Sequence, residues 1–88
     1  MAVFMIERQF AEALDSIDAA EITRINDEEG VSWLYSFLSA DKRKTYCLYE
    51  AESIDAIRVA AQRAGLPADV IAEVGHMVQP DGTLTPIG

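Results

Sequence analysis

The side chains of this 88-residue sequence whose chemistry could go beyond packing are one histidine, one cysteine and a few of its 15 acidic residues. His76 lies in EVGHMV, with Val74 and Val78 on its own face of an extended run. Such an imidazole is either a hydrogen-bonded core or interface residue, or a nitrogen donor to a divalent transition metal. In the second reading Glu7, Glu50 and Glu73 are the oxygen donors, completed by water or by a second copy of the chain. Cys47, in TYCLYEA, has Lys44 as its nearest basic residue in sequence and no helix N-terminus beside it. Nothing there would lower a thiol pKa, so Cys47 reads as a small apolar packing residue. Phosphate-loop, GxSxG, HExxH, EF-hand and dinucleotide-binding signatures are absent, which lowers the standing of the common enzyme classes.

The elements that must position these groups can be read from pattern. Residues 2–8, AVFMIER, form a first strand that is apolar on both faces, as a central strand would be. After a polar connection, Asp18 with Glu21 suggests a capping box, Ile22 and Ile25 an apolar stripe, and Gly30 a helix stop. VSWLYSFLS, residues 31–39, is a second strand with Trp33, Tyr35 and Phe37 on one face and Leu34, Ser36 and Leu38 on the other. The polar ADKRK turns the chain into a third strand, TYCLYEA, giving a hairpin. There Cys47 and Tyr49 share one face, and Tyr46, Leu48 and Glu50 the other. Ser53 caps a second helix that carries Ile54, Ile57, Ala61 and Ala64 on one side and ends at Gly65. PADVIA reads as a helical turn, EVGHMV as the fourth strand, and residues 81–88 as a flexible tail.

The order β-α-β-β-α-β specifies a single α+β domain over residues 1–80. Its expected form is a ferredoxin-like sandwich of four antiparallel strands in the order 4-1-3-2, with two helices on one face. The other sheet face is left bare, and a homodimer packed through it is the physical expectation. With strands 1 and 3 read as parallel neighbours, Glu7, Arg8, Trp33, Tyr49, Glu50 and Glu73 gather near one sheet edge. That collection is either a polar or metal-facing site, or an Arg8–Glu50 ion pair beside exposed Glu7 and Glu73. Trp33, Tyr35, Phe37 and Tyr49 could instead line a small-molecule pocket in a dimer cleft, with or without catalysis. An interaction module with neither metal nor ligand is the third reading.

A formal charge of −8 argues against nucleic acid, and Lys42-Arg43-Lys44 is too small a patch to reverse that. No apolar run approaches the ~18 residues of a membrane helix, and the N-terminus meets Glu7 and Arg8 too early for a secretory leader. One cysteine excludes an intramolecular disulfide. A cytoplasmic protein is the expected setting.

The succession of FMIER, VSWLYSFLSADK, TYCLYEA and IRVAAQRAGLPADVIAEV resembles a small nickel-binding, ferredoxin-like family, largely carried as a domain of unknown function. The likeness spans roughly residues 3 to 80. Its most specific parts are Glu7-Arg8, Trp33 with Ser36, YCLYEA at 46–51 and RAGLPAD at 63–69. It implies a ferredoxin-like fold, dimers and nickel binding in at least one member, with no established enzyme activity for most, so nickel or another divalent transition metal is the cofactor to expect. Relatives commonly read I-R-E-H-A in the second helix, where this chain has Val59 and Ala60 in place of the glutamate and histidine. The resemblance therefore hands over no ligand set residue by residue, and His76 belongs to none of its motifs.

Overall fold

The computed structural model describes residues 1–87. The chain runs β1 (Ala2–Gln9), α1 (Ala19–Glu29), β2 (Ser32–Leu38), β3 (Lys44–Ala51), α2 (Ile54–Ala64), β4 (Val70–Val74), β5 (His76–Val78) and β6 (Leu84–Pro86). Strands β2-β3-β1-β4 form one sheet, which is the expected 4-1-3-2 order read from the other side. Every neighbouring pair in it is antiparallel.

Both helices are set by their ends. The Asp18 carboxylate accepts from the Glu21 N–H at 3.1 Å, and the Ser53 hydroxyl from the Ala56 N–H at 3.2 Å. Each cap satisfies one of the N–H groups that a first helical turn leaves free. Gly30 and Gly65 close the two helices at φ 71° and 69°, where a side chain would be strained. Ile22 and Ile25 of α1 and Ile57, Ala60 and Ala61 of α2 are the buried stripes. Of these, Ile25, Ile57 and Ala60 pack with Phe4 and Ile6 of β1 and with Cys47, Tyr49 and Ala51 of β3, so the core lies between the helices and one sheet face. Arg63 in the last turn of α2 ties the helices together through Glu28 at 2.6 Å and Glu29 at 2.8 Å.

Three expectations need correction. First, β1 and β3 are antiparallel neighbours, with Val3 opposite Glu50 and Glu7 opposite Tyr46. In this topology α1 returns the chain so that β2 runs with β1, and the β2–β3 hairpin then reverses β3. Second, PADVIA is not a helical turn, because β4 begins at Val70 and pairs with β1 from Val3↔Val74 to Glu7↔Val70. The free edge of β1 offers Val70 and Ile71 a ladder, and the Asp69 N–H to Glu7 carbonyl bond at 3.1 Å starts it. Third, the strand read as EVGHMV divides at Gly75. His76–Val78 pairs instead with Leu84–Pro86 in a separate two-stranded hairpin, whose turn carries Gly82 at φ 88°. The segment read as a tail thus contributes β6.

No helix among the described residues is long and apolar enough to cross a membrane.

Candidate functional site

Residues directly opposite in a ladder share a face, so the register assigns each candidate side chain. Phe4, Ile6, Cys47 and Tyr49 define the helix-covered face. Glu7 and Glu50 therefore lie on the open face, and they stand at opposite ends of the β1/β3 ladder. The separation is four strand positions, roughly 13 Å along the strand. An Arg8–Glu50 ion pair is ruled out by the same register, since Arg8 faces Thr45. Glu7 instead pairs with Lys44 at 2.9 Å, and this bond holds the Lys44 ammonium above its ordinary pKa. Glu73 is exposed on the edge strand β4 opposite Phe4, and His76 is exposed on β5 opposite Pro86. Among the described residues no three His, Cys, Asp or Glu side chains stand together to hold a metal ion. The donors of one chain do not by themselves fit such an ion.

The aromatic quartet is also divided. The register shifts between Trp33 and Tyr35, a bulge at Leu34 that inserts one extra residue into β2. One inserted residue reverses the facing of everything after it. Trp33 consequently lies on the helix-covered face, stacked with Tyr49 at 6.3 Å between ring centroids and 17° between planes. Its indole N–H donates to the Ser36 hydroxyl at 2.8 Å. Tyr35 and Phe37 lie on the open face and meet edge to face at 5.5 Å. They are 49% and 63% exposed and adjoin the exposed Tyr46, while Glu7, paired with Lys44, separates this patch from the exposed Val70; Val3 and Leu48 on the same face are buried.

What the fold does assemble is a cavity of about 190 Å³ on the helix-covered face. The sheet supplies Arg8, Trp33, Thr45, Cys47 and Tyr49, and Phe10, Leu14 and Ile17 supply the outer wall. These last three belong to the connection between β1 and α1. That connection is laid along the β2–β3 turn by two backbone bonds, Phe10 N–H to Arg43 carbonyl at 2.8 Å and Leu14 N–H to Lys42 carbonyl at 2.7 Å. Arg8 is the unusual member, 4% exposed and so almost fully desolvated. Its guanidinium donates to the Pro67 carbonyl and, at 3.5 Å, to the Tyr49 hydroxyl, and it lies 5.8 Å from the Tyr49 ring centroid. Burial pushes the Tyr49 phenol above its ordinary pKa, and the neighbouring Arg8 charge partly opposes that shift. The Tyr49 phenol therefore stays protonated at neutral pH. The Thr45 hydroxyl is buried with no hydrogen-bond partner among the described residues.

Of the residues singled out from sequence, Trp33, Tyr49, Arg8 and Cys47 meet here, whereas Glu7, Glu50, Glu73, His76, Tyr35 and Phe37 do not. Cys47 is a free, buried thiol, as a packing residue should be. Phe10, Leu14, Ile17 and Thr45 were missed. The available signal was three large apolar residues inside a connection otherwise made of small and acidic ones.

Comparison with known proteins fits this architecture. Residues 4–74 match a family described as "Nickel responsive protein SCO4226-like". A solved structure, SCO4226 from Streptomyces coelicolor A3(2), superposes with a TM-score of 0.68 at 26% sequence identity. The match covers 83% of this chain and 95% of that one. A search of curated proteins found no match. The matched family segment ends two residues before His76, so the likeness does not designate the imidazole. It takes in β1 through β4 and both helices, which is the whole sandwich, and this chain belongs to the SCO4226-like nickel responsive protein family.

Proposed function

We propose that this chain is a small nickel-responsive binding protein that works as a pair of copies packed through the open sheet face. The family match over residues 4–74 is the observation that carries the nickel part of the reading. The pairing rests on Tyr35, Phe37, Tyr46 and Val70, all exposed on the open sheet face of a short chain. A monomer of this size gains most by burying such a surface. Since the donors of one chain do not converge, a divalent ion is held by groups from two copies. His76, the sole imidazole, is the nitrogen donor, and Glu7 and Glu50 on the open face are the oxygen donors available to it, whereas Glu73, opposite Phe4, lies on the other face. Nickel accepts such mixed nitrogen and oxygen ligation.

Titration calorimetry of metal-stripped protein with nickel tests this. Saturable binding that His76→Ala weakens by tenfold or more supports the assignment. Binding that is absent, or indifferent to His76→Ala, removes it.

A further inference from the structure

A desolvated guanidinium is stable only when an anion or a full set of acceptors faces it. Arg8 has neither. It is 4% exposed, and no carboxylate lies within ion-pair distance of it among the described residues. Its acceptors are one backbone carbonyl and one phenol at the far limit of hydrogen bonding. A guanidinium carries five N–H donors, so several are left over. The Thr45 hydroxyl, 7% exposed as a residue, sits in the neighbouring ladder position with no partner of its own. Both side chains line the same cavity; Ser36 and Tyr49 are the other hydroxyl-bearing residues of its wall, and Phe10, Leu14, Trp33 and Leu38 are among the apolar ones.

We propose that this cavity binds a small apolar monocarboxylate, its carboxylate paired with Arg8 and its hydrocarbon part against Trp33, Phe10 and Leu14. An Arg–carboxylate pair can be bidentate, which supplies the missing acceptors in one step. The size follows from the volume. A cavity of about 150 Å³ takes a benzene ring, so 190 Å³ accommodates a six-carbon ring or short branched chain bearing one carboxylate. Ile17, 43% exposed on the connecting segment, marks the side from which a ligand enters. This assignment is independent of nickel, since none of the proposed donors lines the cavity.

Trp33 is the only tryptophan and forms part of the wall, so its fluorescence reports occupancy directly. Metal-stripped wild-type protein would be titrated with cyclohexanecarboxylate and, separately, with the neutral cyclohexanecarboxamide. The expected result is a saturable Trp33 change with the carboxylate at least tenfold tighter than with the amide. A second expectation is that Arg8→Gln removes that preference. Equal binding of acid and amide to the wild-type protein, or no saturable response to the acid, overturns the proposal. This comparison holds even if Arg8→Gln does not fold.

Discussion

Replacing Phe37 with alanine tests whether the open sheet face is an interface. Phe37 is 63% exposed on β2 and pairs across the ladder with Tyr46. Full burial of a phenylalanine side chain is worth about 1.5–3 kcal/mol, so covering its exposed fraction contributes about 1–2 kcal/mol per copy. A two-fold pair presents the residue twice, and the loss per dimer is then about 2–4 kcal/mol, or roughly 30- to 1,000-fold in the dissociation constant. Within a single chain Phe37→Ala removes little beyond the edge-to-face contact with Tyr35, worth about 0.5–1.5 kcal/mol. Sedimentation equilibrium across a dilution series separates the two effects, with urea unfolding as the control for the fold. The reasoning fails if the wild-type chain is monomeric at every concentration, or if Phe37→Ala leaves its association constant unchanged.

Other substitutions probe the monomer. Ile57 is 2% exposed and joins α2 to the sheet, so Ile57→Ala should cost about 2–5 kcal/mol in urea-derived stability. Gly65→Ala meets no neighbouring atom but must hold φ near 69°, and its expected cost is about 1 kcal/mol from backbone strain alone. The Glu28 carboxyl is held below its ordinary pKa first by the Arg63 hydrogen bond and then by Arg24. A depressed folded value means the contribution is present above the unfolded pKa and lost as pH falls through the folded one. Glu28→Gln should therefore lower the melting temperature at pH 7. The difference should shrink below about pH 4, and added salt should reduce it as well.

The parts of the fold that could be read from sequence were those with local punctuation. Asp18, Ser53, Gly30 and Gly65 mark the helix ends by cap chemistry, and the structure places those ends as read. β4 was not readable in the same way. Pro67-Ala68-Asp69 carries the signature of a helix start, and only the vacant edge of β1, a tertiary feature, makes Val70–Val74 a strand. The bulge at Leu34 left no trace either. The alternation Trp33, Tyr35, Phe37 looks unbroken in sequence, yet one extra residue sends Trp33 to the cavity and the other two to the open face. The metal-facing cluster at one sheet edge depended on the relative direction of β1 and β3, so the antiparallel register dispersed its carboxylates, while Arg8, Trp33 and Tyr49 still meet at the cavity. Arg8 was in view from the start, but its isolation from the carboxylates of the described residues is a property of burial and register, which sequence alone does not carry.

The central claim joins metal to pairing, and one comparison addresses both. Nickel would be titrated by calorimetry into stripped wild-type protein and into a chain carrying Tyr35→Lys and Phe37→Lys, with sedimentation establishing that the latter is monomeric. The account predicts saturable nickel binding by the wild-type pair and at least tenfold weaker binding by the monomeric variant, because among the described residues no single chain gathers three donor side chains. Equal affinity in the two would place the whole nickel site within one chain and contradict it.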